Sequence, residues 1–187
     1  MEIVKDVEGE VLNENLYKGF AVFGVFSVLH FGYELTGWKF LIPICGINES
    51  VFQHLKMAFW AYIISSALER IPSKGKGLDS ISKAAFWYSR FLSAVIVPWL
   101  IFILWYFLPA IYGRAKSLFV DLSWSLLVTF TAALFAAQLE QEIQKLTLSK
   151  DTRLLIIFLV VASGFLFVFF TFKLPWIDLF INPATIP

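Results

Sequence analysis

Two histidines and two glutamates are the residues whose types and spacing are best suited to chemistry. His30 and Glu34 are four residues apart in an apolar stretch, which places both on one face of a helix. Glu49 and His54 belong to the polar segment 46–56, which opens the next apolar stretch. Two histidines with carboxylates and one open position are typical of catalytic zinc. The sequence therefore predicts a divalent metal site, with zinc as a candidate, formed by His30, Glu34, Glu49 and His54.

The same segment is compatible with metal-free chemistry. A desolvated carboxylate beside a histidine suits acid–base catalysis, and Ser50 and His54, one turn apart, could act as nucleophile and base. Polar groups within a membrane also suit a proton or ion relay. In a metal-assisted hydrolase, Lys56 and Asn48 would stabilise developing charge. The candidate catalytic residues are Glu49, His54, Lys56, Asn48 and Ser50, and the candidate supporting residues are Tyr33, Gln53, Asp121 and Asp178.

A purely structural interpretation accounts for several of these residues singly. Asn48 and Glu49 suit a helix start, and Ser50 with Gln53 has the spacing of a capping box. Lys56 could extend its ammonium toward water. Two histidines, two glutamates, an asparagine, a glutamine and a lysine at one depth nevertheless exceed what capping requires. We therefore favour a functional polar site.

Composition places this site in a membrane protein. The 187 residues are 59% hydrophobic and only 16% charged, with a mean hydropathy of +0.75. A net charge of +1 gives no reason to expect a nucleic-acid partner. The single Cys45 excludes an intramolecular disulfide. Residues 1–15 are acidic and lack a cleavage pattern, so we expect the first apolar helix to be retained.

Runs of about 20 apolar residues predict the elements that position the site. We expect an all-α, single-domain bundle over 1–187 with five spans. The second span is the most polar and could alternatively be re-entrant. In the third, a kink is expected near Pro98 and a helix end near Pro109, and 138–145 is expected to be a solvated helical face. The predicted spans are 16–37, 50–69, 84–111, 117–138 and 153–173.

The distribution of charge predicts the orientation in the cell membrane. Ten of the 15 Lys and Arg residues fall on the side of the amino terminus and five on the other. Basic loops remain cytoplasmic, so the amino terminus is expected inside and the carboxyl terminus outside. His30 lies eight residues before Trp38, and His54 lies seven after Ile47. In an antiparallel hairpin the two imidazoles should therefore share one depth, in the exterior half, where Asp121 enters from the fourth span.

Three motifs give the chain a resemblance to a family of uncharacterised prokaryotic integral membrane proteins. They are His30-Phe-Gly-Tyr-Glu34, Asn48-Glu-Ser-Val-Phe-Gln-His-Leu-Lys56 and the closing stretch 174–183 with Asp178. The resemblance implies a polytopic fold and signature positions at His30, Tyr33, Glu34, Asn48, Glu49, Ser50, His54 and Lys56, but no activity. Gln53 and Asn182 stand where that pattern has acids, which leaves Glu34 and Glu49 to carry the negative charge.

These observations favour a multi-pass membrane hydrolase that uses a metal and acts on a lipid or other amphipathic substrate. The alternatives are a small transporter or ion- or proton-binding protein, and a structural membrane subunit. Phe59, Trp60, Ile63 and Ile64 follow the motif on the second span and offer no polar path for transport. The expected partners are the lipid bilayer and a lipid or small-molecule ligand. The sequence fixes neither the reaction nor the oligomeric state.

Overall fold

The computed structural model describes residues 2–71, 82–113 and 117–182, with side chains from Leu12 onward except that of Leu118. Over these residues the chain is all-helical, with five α-helices and no strand. The helices are α1 (Glu2–Thr36), α2 (Val51–Arg70), α3 (Lys83–Tyr112), α4 (Leu118–Gln144) and α5 (Lys150–Phe172), and two short 3-10 helices lie at Lys39–Leu41 and Asp178–Phe180. Four basic residues used to predict the orientation lie outside the described residues: Lys74, Lys76, Arg114 and Lys116.

Among the residues that the structure describes, four helices are long and apolar enough to cross a membrane. They are Leu12–Thr36 within α1, Lys83–Tyr112 (α3), Phe119–Gln144 within α4, and Lys150–Phe172 (α5). The protein is therefore a helical membrane protein. The predicted second span, α2, has 20 residues and is long enough to cross a membrane, but its sequence is less apolar than these four stretches.

The position of α2 explains its polar composition. It packs against α1, α3, α5 and the second 3-10 helix, and its buried set combines apolar residues such as Phe59 and Ala61 with Gln53, Lys56 and Ser66. Because protein rather than lipid surrounds this helix, polar side chains can be buried there and paired. Among the described helices, the one without a sufficiently apolar stretch is thus the one that protein encloses on several sides.

Several helix ends differ from the predicted ones. In α1 the helix begins at Glu2, well before the predicted span at 16–37, whereas α4 continues to Gln144, in line with the helical continuation expected over 138–145. In α3 the helix runs through Pro98 and Pro109 and ends at Tyr112. Gly113 ends it with φ 76°, a left-handed conformation that glycine adopts without penalty, and donates its N–H to Pro109 O at 2.9 Å.

Four buried or partly buried charges join four helices at the end of the bundle opposite the histidines. Lys18 Nζ of α1 lies 2.5 Å from Glu69 of α2 and 3.6 Å from Glu140 of α4. Arg90 Nη2 of α3 lies 2.8 Å from Glu69 and 3.0 Å from Glu140. We call these residues the charge network. Two cations face two carboxylates, so the network carries no net formal charge.

The charge network corrects the prediction of a solvated face over 138–145. Glu140 is only 4% exposed, and Gln144 Oε1 accepts a hydrogen bond from Arg90 at 2.6 Å. Only part of the segment is solvated, including Glu142 and Lys145, which form an exposed pair at 2.7 Å. Helical spacing identified that exposed pair but not which neighbouring residues turn into the bundle.

Candidate metal site

His30, Glu49 and His54 converge at one end of the α1–α2 pair. One ligand atom from each lies within 4.8 Å of the others. Glu49 Oε2 lies 3.5 Å from His30 Nε2 and 3.6 Å from His54 Nε2, and the imidazole centroids are 5.3 Å apart. The two histidines therefore share one depth, as the hairpin spacing predicts.

The connection between α1 and α2 places the carboxylate. Gly46 N donates to Leu29 O at 3.2 Å, which holds the connection against α1 beside His30. Asn48 Oδ1 then accepts the N–H of Ser50 at 2.9 Å, a local turn just before α2 begins at Val51. Glu49 lies between these two contacts, with its side chain 61% exposed.

His54 is held in the orientation that metal-binding histidines use. Its Nδ1 lies 3.0 Å from Ser50 O. A carbonyl oxygen only accepts hydrogen bonds, so in the neutral ring Nδ1 carries the proton and Nε2 presents a lone pair toward Glu49. Trp105 of α3 stacks on the ring at 6.2 Å, and Phe26 lies 6.2 Å from both imidazoles. These aromatic walls restrict the rotation of both rings.

A cavity of about 290 Å³ adjoins two of the three residues, His30 and Glu49. Its lining includes His30 and Glu49 together with Tyr33, Glu34 and Asn48. Glu34 thus lies on the cavity wall, but it is not part of the three-ligand group. Of the four predicted metal ligands, three converge and the fourth borders the same space.

The two predicted supporting aspartates lie in different places. Asp121, exposed in the first turn of α4, is close enough for its charge to act on His54. Asp178 instead lies in the second 3-10 helix, where its Oδ1 accepts the N–H of Leu179 at 2.9 Å. Phe180 of that helix packs on Phe52 at 4.5 Å. The carboxyl-terminal segment therefore lies against another face of α2, away from the three-ligand group.

Lys56 also lies outside the three-ligand group. It is fully buried, and its Nζ donates to Ile42 O at 2.8 Å and to Thr171 Oγ1 of α5 at 3.2 Å. The ammonium does not extend to water, and it fastens the α1–α2 connection to α5.

Ser50 forms neither the predicted capping box with Gln53 nor the predicted nucleophile–base pair with His54. His54 bonds to the main-chain oxygen of Ser50, and Ser50 gives no side-chain cap. Ser50 Oγ and both amide atoms of Gln53 are buried without a hydrogen-bond partner among the described residues.

Cys45 lies in the α1–α2 connection and is buried. Burial raises the pKa of its thiol above the ordinary value, and the neighbouring Lys56 charge opposes this only partly. A buried, protonated thiol is a weak nucleophile and a weak metal ligand, so Cys45 is inert at this site.

The residues that sequence reasoning missed are those of the charge network and Tyr62, whose hydroxyl donates to Glu140 at 2.8 Å. A usable signal was present. Lys18 lies twelve residues before His30, and Ser66 lies twelve after His54, so hairpin spacing pairs them at one depth. In the structure Lys18 Nζ donates to Ser66 Oγ at 2.9 Å. The spacing that pairs the histidines thus also locates the network.

Comparison with protein families gives a match over most of the chain. A family model described as "Family of unknown function (DUF6512)" covers residues 10–186. No curated protein and no solved structure matches the chain.

Proposed function

The chain belongs to the family of unknown function whose model matches residues 10–186, and from its site we propose that it is a membrane-embedded, metal-dependent hydrolase. The substrate class we propose is a lipid or another amphipathic molecule. One observation carries the proposal: ligand atoms of His30, Glu49 and His54 lie within 4.8 Å of one another beside a cavity.

The ligand set fits a divalent ion such as zinc. Two imidazole nitrogens and one carboxylate oxygen are a set found in zinc hydrolases, which leave a fourth position for water or substrate. Bonds of about 2.0–2.2 Å in a tetrahedron separate neighbouring ligand atoms by about 3.4 Å. The Glu49 oxygen is 3.5 and 3.6 Å from the two Nε2 atoms. The ligand atoms of the whole set lie within 4.8 Å of one another, so the two imidazole nitrogens would have to approach by up to about 1.4 Å to complete the tetrahedron.

The neighbouring residues suit hydrolysis. An ion held by the three ligands would supply an activated water and polarise an ester or phosphoester oxygen. Glu34, on the wall of the same cavity, is our candidate proton acceptor, and Asp121 contributes negative charge near His54. Asn48 and Lys56 act as positioning residues, because each holds part of the α1–α2 connection.

We also propose that α2 crosses the membrane, which makes five spans. Its 20 residues give a length of about 30 Å, which matches the hydrocarbon core. Contacts with α1 at both ends, His30 with His54 and Lys18 with Ser66, support a helix that runs antiparallel along the full α1 span. The excess of basic residues then places the amino terminus in the cytoplasm and the metal site in the outer half of the membrane.

Labelling of single cysteines tests this orientation. The native Cys45 is buried with a raised pKa, so its background reaction with a maleimide should be small. We expect an impermeant maleimide to label Lys39→Cys in intact cells and Lys145→Cys only after permeabilisation. The opposite pattern would invert the proposed topology.

Transport receives less support from the structure. The histidine end and the charge network would have to be joined by polar groups. Between Lys56 and Tyr62, the buried residues of α2 are Met57, Ala58, Phe59 and Ala61. This apolar interval favours a site reached from one side over a path across the membrane.

Metal analysis of the purified protein tests the proposed function. The wild type in detergent, supplied with zinc and then desalted, should retain about one equivalent, the number expected for one three-ligand site. Glu49→Gln and His54→Ala should lose it, while Glu142→Gln, which changes an exposed carboxylate at the opposite end, should not. Glu34→Gln should keep the metal and lose hydrolysis of ester or phosphoester lipids.

The metal site would be refuted if the folded wild type bound neither zinc nor manganese nor any other divalent ion. A structural role alone would appear as lower thermal stability of the motif variants without any metal binding.

A further inference from the structure

A second, larger cavity lies on another face of α2. It has a volume of about 610 Å³ and is bounded by α3 and α5, with Phe52 and Leu55 of α2 at its inner wall. We call it the α3–α5 groove. The second 3-10 helix closes one end, where Asp178 joins the lining. Both bounding helices are apolar enough to span a membrane, so in a bilayer the groove would open toward hydrocarbon.

The length of the groove matches one leaflet of a bilayer. Along α3 its lining extends from Val95 to Tyr106. These residues are eleven positions apart, which is about 16–17 Å of helix and close to half of the roughly 30 Å hydrocarbon core. On α5 the lining starts at Ser163, in the middle of the helix, and reaches Phe170 near its end. The groove therefore extends from one interface to about the midplane.

The polarity of the lining is also arranged by depth. Tyr106 and Asp178 lie at the interfacial end, and the Asp178 charge acts on the Tyr106 hydroxyl. Deeper positions are aliphatic and aromatic apart from Ser163. A cavity with a polar end at the interface and an apolar interior suits an amphipath with a headgroup and a hydrocarbon tail.

The interfacial end of the groove lies on the neighbouring face of α2, at the depth of the proposed metal site, and none of the three candidate ligands lines it. Leu55 lines the groove and directly follows His54 in α2. Tyr106 lines the groove and directly follows Trp105, which stacks on His54. A molecule whose tail lies in the groove would thus place its headgroup near the helix ends that carry the histidine site.

From this geometry we infer that the α3–α5 groove binds one acyl chain of a membrane lipid, with the chain end toward Val95 and Ser163 and the headgroup near Tyr106 and Asp178. This inference rests on the proposed function in one respect: the bound acyl lipid is a substrate only if the protein is the proposed hydrolase. The binding site itself is testable without activity.

A photoreactive phospholipid provides the test. The full-length protein is reconstituted in bilayers that contain a phospholipid with a diazirine near the end of one acyl chain, then irradiated and mapped by peptide mass spectrometry. We expect saturable labelling of α3 and α5 around Val95 and Ser163, reduced by excess unlabelled lipid. Ser163→Phe and Val95→Phe, which fill the deep end, should each weaken labelling at least about tenfold, the factor expected when two methylenes lose their burial. Val161→Phe is the matched control, because Val161 lies two residues from Ser163 and is 65% exposed. This variant should be labelled as strongly as the wild type.

Non-saturable labelling spread over the outer faces of α3 and α5 would show ordinary surrounding lipid and overturn the inference. Equal labelling of Ser163→Phe and Val161→Phe would do the same. Metal content is measured on every sample to separate the two proposals. Loss of groove labelling with metal retained contradicts only the groove, whereas absent metal with saturable groove labelling contradicts only the metal-dependent function.

Discussion

The charge network should make Glu140 one of the side chains most important to stability. Glu140 is 4% exposed, its Oε1 lies 3.0 Å from Arg90, and its Oε2 accepts from the Tyr62 hydroxyl at 2.8 Å. Glu140→Gln keeps the shape of the side chain but removes its charge. Arg90 and Lys18 would then share the single carboxylate of Glu69.

The size of the effect follows from these contacts. Removing one partner of a buried ion pair costs about 3–5 kcal/mol. Because Glu69 remains within 2.8 Å of both cations, we expect the lower end, about 3 kcal/mol. For a chain of this size that corresponds to a decrease in Tm of about 6–12 °C.

Glu142→Gln is the matched control, since Glu142 lies two residues away in α4 and its pair with Lys145 is exposed. An exposed pair contributes about 0.5 kcal/mol, so Tm should fall by no more than about 2 °C. Thermal unfolding in detergent, followed by tryptophan fluorescence, measures both variants. The double variant Arg90→Gln/Glu140→Gln should lose less than the sum of the single variants, because it removes one charge of each sign. Equal decreases in Tm for Glu140→Gln and Glu142→Gln would refute the reasoning.

Three further predictions use the same thermal assay. Zinc at about 100 times its Kd should raise Tm of the wild type by about 5–11 °C, the equivalent of about 2.7 kcal/mol, and should leave His54→Ala unchanged. Gly113→Ala should lower the free energy of unfolding by about 1 kcal/mol, because the φ of 76° at this position strains an L-residue. Gly24→Ala is the helical control: an added Cβ there meets nothing within 4 Å, so the free energy of unfolding should rise by up to about 1 kcal/mol. Equal losses in the two variants would contradict the backbone argument. Gln53→Leu should raise the free energy of unfolding by about 1–2 kcal/mol, because neither amide atom has a hydrogen-bond partner among the described residues. A decrease of that size would instead indicate that Gln53 binds a polar group.

Hydropathy and hairpin spacing were sufficient to predict most of the helices and the meeting of the histidines. Helix positions follow from apolar runs, and the depth of a side chain follows from the rise per residue, so both can be read from one sequence. The paired depths of His30 with His54, and of Lys18 with Ser66, are of this kind.

The rotation of each helix could not be predicted in the same way. A helical wheel places Glu49, Gln53 and Lys56 on one side, but Glu49 precedes Val51, where α2 begins. Its direction is therefore set by the α1–α2 connection rather than by the 100° step of a helix. Which side of a helix meets a neighbour depends on packing among all the helices, and this is why Lys56 faces α5 and Glu140 faces Arg90.

Buried polar groups are satisfied unequally at the two ends of the bundle. Near the charge network, the Tyr62 and Ser66 hydroxyls and the Lys18 ammonium have partners, whereas Arg90 Nε and Asn15 Oδ1 have none among the described residues. At the histidine end, His30 Nδ1, Ser50 Oγ and both amide atoms of Gln53 have none among the described residues. Native proteins rarely leave such groups unpaired, because each costs about 1–3 kcal/mol. Four unpaired atoms at the histidine end against two at the charge network place the larger deficit beside the proposed metal site, and the sign of the Gln53→Leu effect decides whether a bound ion, water or ligand satisfies them.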